Sequence, residues 1–142
     1  LVNEQAKSVT LCDYDSQNGT LAMRQTLTTI PSDWPADQGS CADIEISADG
    51  RFVYASNRGH DSIAVFAIDK RSGEISSRGQ TPTGKTPRSF NLIEGGENYL
   101  VAAGQGSDNL VVYRRDTTSG ALTELKRYDC GKSPAWVLGV KK

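Results

Sequence analysis

The chain has 142 residues, with 16 Lys and Arg against 17 Asp and Glu and a formal net charge of −1. That length suits one domain. A near-neutral chain without a basic block is not expected to have nucleic acid as its main partner, because phosphate binding needs clustered positive charge. No apolar run approaches the roughly 20 residues that span a bilayer, so no membrane partner is expected either.

In chain order the predicted elements are all strands and turns. "LVNEQA" (Leu1 to Ala6) reads as a strand, followed by the hairpin "KSVTLCDYDSQNGTL" from Lys7 to Leu21. A long connection, "IPSDWPADQGSC", runs from Ile30 to Cys41 and carries Trp34 between two prolines. Such a segment suits a rim lid, or simple packing of Trp34 on a neighbouring unit. Next come a short strand "ADIEIS", a turn "SADG", a strand "RFVYASN" and the hairpin "DSIAVFAIDKRSGEI" from Asp61 to Ile75. The same order returns as "RSFNLI", "EGGEN", "NYLVAAG" and "DNLVVYRRDTTSGAL", the last from Asp108 to Leu122. β-branched and aromatic residues dominate the strands, and no 3.6-residue apolar period is sustained. The chain closes on "SPAWVLGV", which reads as one more first strand.

The three hairpins are copies of one another. Asp61 and Asp108 lie 47 residues apart, and Lys7 and Asp61 lie 54 apart. Each copy runs an apolar alternation into an Asp (Asp15, Asp69, Asp116), then turn formers, then a Gly (Gly19, Gly73, Gly120). Gly supplies the positive φ that such turns need. Within the third copy Leu92, rather than Ile93, matches Ile46, because the turn after "RSFNLI" is one residue longer.

Four short antiparallel strands per repeat of this length describe a β-propeller blade. The predicted fold is therefore all-β, a partial propeller of about three blades. A first blade lacking its first strand covers 1–41, full blades cover 42–86 and 87–133, and a terminal first strand covers 134–142. Three blades are too few for a closed ring. Two completions are expected: missing N-terminal blades upstream of Leu1, or a homodimer in which each copy lends its last strand to the other. In that closed ring Pro134 to Val140 would hydrogen-bond beside a strand such as "LVNEQA", burying Trp136 and Leu138.

Glu4, Arg58 and Gln105 occupy one place in successive repeats, just after the second strand. A propeller gathers such positions around one rim of its channel. Arg58 suits bidentate binding of a carboxylate or phosphate. Glu4 suits orienting a water or moving a proton. A plain rim salt bridge, worth little, fits the same two residues. Cys12, Cys41 and Cys130 lack C-x-x-C spacing and are expected to be ordinary thiols of a reducing, cytoplasmic compartment. With one His in the chain, no metal or cofactor is expected. No leader of the secretory type is apparent at the start.

The stretches "VNEQAKSVTLCDYDSQNGTL", "IEISADGRFVYASNRGHDSIAVFAID" and "TPRSFNLIEGGENYLVAAGQGSDNLVVYRRD" together resemble the C-terminal portion of the lactonase family of seven-bladed β-propellers. That family includes propeller-type bacterial 6-phosphogluconolactonases and the fungal carboxy-cis,cis-muconate cyclase. The resemblance implies a metal-free lactone hydrolase acting on a sugar-acid lactone. It puts the Glu of "VNE" and the Arg of "SNRG", here Glu4 and Arg58, in the active site. It also implies a His and a second Arg from earlier blades, and neither motif occurs in this chain. The isolated chain is thus expected to turn over little lactone. His60, Arg88 and Gln105 are expected as substrate-binding residues, His60 from an exposed loop and Arg88 from the start of a strand. The rival expectation is a non-catalytic propeller that binds other proteins.

Overall fold

The structure, a computed structural model, describes residues 1–93 and 98–140. Most of the predicted turn "EGGEN", together with Lys141 and Lys142, lies outside them. The strands form three antiparallel sheets. The first holds β1 (Val2–Asn3), β2 (Ser8–Asp15) and β3 (Thr20–Thr28). A second sheet holds β4 (Ser40–Ile46), β5 (Phe52–Arg58), β6 (Ser62–Ile68) and β7 (Ile75–Pro82). The third holds β8 (Pro87–Ile93), β9 (Tyr99–Gly104), β10 (Asn109–Arg115) and β11 (Leu122–Asp129). Each sheet is a meander in sequence order, which is a propeller blade, so the fold is all-β and part of a propeller. Among the described residues no helix is long and apolar enough to cross a membrane.

The sequence repeat is a backbone repeat. Lys7, Asp61 and Asp108 take φ of 48, 53 and 52°, one in each of the equivalent turns from β1 to β2, β5 to β6 and β9 to β10. Positive φ is uncommon outside glycine, so three equivalent cases mark one built-in turn. The hairpin aspartates explain their own recurrence. Asp69 Oδ1 accepts the N–H groups of Arg71 and Ser72, and Asp116 Oδ1 those of Thr118 and Ser119; Asp15 Oδ1 does the same for Gln17 and Asn18. Register bears out the predicted offset: Ile46 pairs with Val53, and Leu92 pairs with Leu100.

The second sheet is buried on both faces. Ile63 and Val65 enter a cluster with Phe90, Leu100, Val111 and Tyr113 of the third sheet. Ala64 and Phe66 enter another with Val9 and Leu27 of the first. This two-sided burial is why "SIAVFAI" is apolar at nearly every position rather than alternating with polar residues.

Side chains on the innermost strands tie the sheets together. Asp43 Oδ2 accepts the Phe90 N–H at 3.1 Å and Glu45 Oε2 the Leu92 N–H at 2.7 Å, fixing β8 against β4. Ser89 Oγ and Asn91 Oδ1 accept the N–H groups of Val137 and Gly139 in the same manner, at 3.3 and 3.0 Å. The lead-in also repeats: Thr86 and Ser133 have φ of 53 and 56°, and their N–H groups donate to Asp61 and Asp108. So the stretch from Pro134 to Val140 lies against β8 as β8 lies against β4. It has no ladder partner among the described residues, and β1 pairs with β2 instead. The burial expected for a closed ring is absent in the single chain: Trp136 and Leu138 are 75% and 72% exposed, because no strand covers their outer side.

Candidate active site

The ends of β1 and β5 carry the charges, and the connection before β4 brings them together. The Cys41 N–H donates to the Glu4 carbonyl at 2.8 Å, while the Cys41 carbonyl accepts Arg58 Nη2 at 3.0 Å. One residue of β4 therefore joins the turn after β1 to the end of β5. Two glycines let the connection come this close. A Cβ on Gly39 would stand 2.5 Å from the Arg58 carbonyl oxygen, and one on Gly59 would stand 2.9 Å from Gly39 Cα. Only bare backbone fits there. The connection is further held by Lys7, whose Nζ donates to the carbonyls of Ala36 and Gln5.

So placed, Arg58 Nη2 donates to Glu4 Oε1 in an ion pair between the first and second sheets. The arginine side chain is 20% exposed and the glutamate 58%, so the carboxylate faces solvent from an enclosed guanidinium. Arg58 Nε is buried without a partner. The pair lines a cleft of about 400 Å³ with Ala42, Asp43, Arg88, Ala135 and Trp136. These residues come from all three sheets and from the C-terminal stretch. A bulge between Cys41 and Ile44 in β4 turns Ala42 and Asp43 into the cleft. Both Asp43 oxygens are occupied, Oδ1 by the Ile44 N–H and Oδ2 by the Phe90 N–H.

Of the five residues expected in the site, Glu4, Arg58 and Arg88 share this cleft. Arg88 is exposed at the start of β8. His60 and Gln105 stand outside the cleft lining. The His60 ring meets Trp34 edge-on, 4.7 Å between centroids at 87°, and its Nδ1 lies 2.7 Å from Ser62 Oγ. Trp34 thus packs on the turn of the next unit. Gln105 donates its backbone N–H to the Thr86 carbonyl at 3.1 Å. Sequence reasoning missed Asp43 and the cleft-facing part of the C-terminal stretch. Neither carries a chemical signature, since Asp43 reads as one polar residue of an alternating strand.

Cys41 sits beside the pair but is not a nucleophile. Its thiol is fully enclosed, with Thr29 Oγ1 at 3.2 Å and Asn57 Oδ1 at 3.5 Å. Burial pushes the thiol pKa up, against the smaller lowering effects of the Thr29 bond and the Lys7 and Arg58 charges. A buried, protonated thiol is inert. Among the described residues no group of three or more His, Cys, Asp or Glu could hold a metal ion.

Known proteins share this architecture. The chain is 37% identical over 102 residues to the 6-phosphogluconolactonase of Bacillus subtilis, and 41% identical over 102 residues to an uncharacterized protein of Lactococcus lactis. Each match covers 71% of this chain and 29% of the relative, so the chain spans under a third of the curated relatives it matches. A periplasmic gluconolactonase of Pseudomonas aeruginosa superposes with a TM-score of 0.82 at 32% identity, over 93% of this chain and 36% of that one. A protein from Lactobacillus plantarum superposes at 0.89 with 32% identity, over 95% and 39%. The description "Lactonase, 7-bladed beta-propeller" matches residues 1–139, and the chain belongs to that lactonase family.

Proposed function

We propose that these blades supply part of the active site of a lactone hydrolase, acting in the complete propeller on a sugar-acid lactone without a metal. The observation that carries the reading is the Glu4–Arg58 pair, set across two sheets at the mouth of a cleft in a member of this family. Relatives named 6-phosphogluconolactonase and gluconolactonase support the substrate class. Glu4 Oε1 is taken by Arg58, which leaves Oε2 to accept a proton from water. That water attacks the lactone carbonyl carbon. Negative charge grows on the carbonyl oxygen, where the Arg58 guanidinium stabilises it. The ring C–O bond then breaks, and the proton held by Glu4 passes to the departing ring oxygen. Lactone and water become the open hydroxy acid, and Glu4 is regenerated. Further blades complete the ring in this reading. His60 and Gln105 carry no step.

Glu4→Gln keeps the size and loses the base. In the complete propeller it should lower kcat by about 10²- to 10⁴-fold, the usual worth of general-base catalysis. Arg58→Lys keeps the charge and loses the planar fork, and should also lower kcat. A Glu4→Gln protein that hydrolyses lactone within a few-fold of the parent overturns the assignment. The 142-residue chain by itself should show little or no turnover, because the family's His and second Arg are absent from it.

A further inference from the structure

The two arginines of the cleft differ in what they have left to offer. Arg58 is mostly committed: Nη2 serves both Glu4 and the Cys41 carbonyl and Nε is sealed in the protein, which leaves Nη1 for the lactone oxygen. The bidentate fork expected of it from sequence is therefore not presented to a ligand through the Nε edge. Arg88 is the opposite case. It lines the same cleft, its side chain is exposed, and it has no hydrogen-bond or ion-pair partner among the described residues. Its backbone is nevertheless fixed. Pro87 precedes it, Thr86 is held at φ 53° by the Asp61 carboxylate, and Phe90 is clasped by Asp43. A cation with five free donors on a rigid strand start is set up to take an anion in two-point contact.

We infer that Arg88 is the anchor for an anionic substituent of the substrate, remote from the lactone ring, and so decides between charged and neutral lactones. This rests on the lactone-site reading above. The remaining charges of the cleft agree with it. Asp43 and Glu4 are both carboxylates, one fixed by backbone N–H groups and the other by Arg58. They repel an anion from their own side of the cleft and leave the Arg88 side for it. Arg88 is a binding residue here and takes no part in bond breaking. Its effect is uniform binding, which appears in affinity and KM rather than in kcat.

The test measures binding of two stable ring-opened acids, 6-phosphogluconate and gluconate, to the complete propeller by calorimetry. The parent should bind the phosphorylated acid more tightly. Arg88→Gln should weaken 6-phosphogluconate by about 10- to 100-fold, the usual worth of charged hydrogen bonds, and weaken gluconate much less, because the carboxylate is common to both acids and the phosphate is not. Arg88→Lys should restore part of the preference. Arg88 is exposed and makes no intramolecular bond, so its replacement leaves the fold intact, which circular dichroism would verify. A preference for 6-phosphogluconate unmoved by Arg88→Gln, or no preference in the parent, overturns this inference and leaves the lactone site standing. A parent that binds neither acid overturns both.

Discussion

Gly120 tests the packing between the second and third sheets, because the repeat supplies its own controls. Gly19, Gly73 and Gly120 close equivalent hairpins with φ of 66, 74 and 78°. Alanine at any of them meets the same backbone penalty, roughly 1–2 kcal/mol for a left-handed L-residue. Their surroundings differ. A Cβ on Gly19 meets nothing within 4 Å, and one on Gly73 meets only Arg24 Nη1 at 3.7 Å. A Cβ on Gly120 would sit 2.4 Å from Phe52 Cδ1 and 2.7 Å from Cε1. Phe52 is 3% exposed in the shared core and cannot swing clear. The Gly120 carbonyl also accepts the Tyr54 hydroxyl at 2.9 Å, so backing away costs that bond. Overpacking of this kind adds about 1–3 kcal/mol. Gly19→Ala and Gly73→Ala should each cost about 1–2 kcal/mol, and Gly120→Ala about 2–5 kcal/mol. At roughly 3–4 °C per kcal/mol for a chain of this size, Gly120→Ala should melt well below the other two. Urea titration and thermal melting of the three purified variants decide it. Equal losses in all three would show that the third blade does not press on Phe52 as described.

Two further outcomes follow from buried and hydrogen-bonded groups. Cys41 should resist a thiol reagent in the native protein while the half-buried Cys12 and Cys130 react, as read by mass spectrometry of labelled peptides; equal labelling of Cys41 would contradict its enclosure between Thr29 and Asn57. Asp15 is held below its ordinary value of 3.8 first by the Asn18 side chain, and Asp69 and Asp116 first by the backbone N–H groups of Ser72 and Ser119. Depressed carboxylates stabilise fully above the ordinary value and lose that contribution as pH falls through their lower folded value. Stability should therefore drop in acid from about pH 4 downward, and Asp69→Asn should remove part of that slope without altering the profile near neutrality; an unchanged acid slope would refute the role of the turn.

The repeat made much of the fold legible, because its signals are local. An Asp four residues before a Gly announces its own turn, and β-branched runs on either side announce strands. Even the one-residue shift that places Leu92 opposite Leu100 could be read by laying one hairpin on the next. Glu4, Arg58 and Gln105 were equally legible as rim positions. Which of them share a cleft was not. That depends on the connection before β4, where Gly39 and Gly59 touch and the Cys41 backbone bridges Glu4 to Arg58. Nothing comparable carries Gln105 into the cleft. His60 stands outside the cleft lining for a related reason: it is two residues from Arg58 in sequence, yet its ring packs on Trp34. The clasp between innermost strands was also hidden. Asp43, Glu45, Ser89 and Asn91 look like the solvent-facing half of ordinary alternating strands, and their true partners are N–H groups of the next unit.

That clasp is what makes a site out of a repeat. Every unit contributes to the cleft: Glu4 from the first sheet, Arg58 and Asp43 from the second, Arg88 from the third, and Ala135 with Trp136 from the stretch beyond it. No unit builds the cleft alone, so the relative setting of neighbouring blades decides whether the groups meet. The same carboxylate governs both matters at one point. Asp43 lines the cleft and, through the Phe90 N–H, fixes β8 two residues from Arg88. A residue that reads as structural polar filler is thus the link through which packing between blades reaches the cleft-lining arginine.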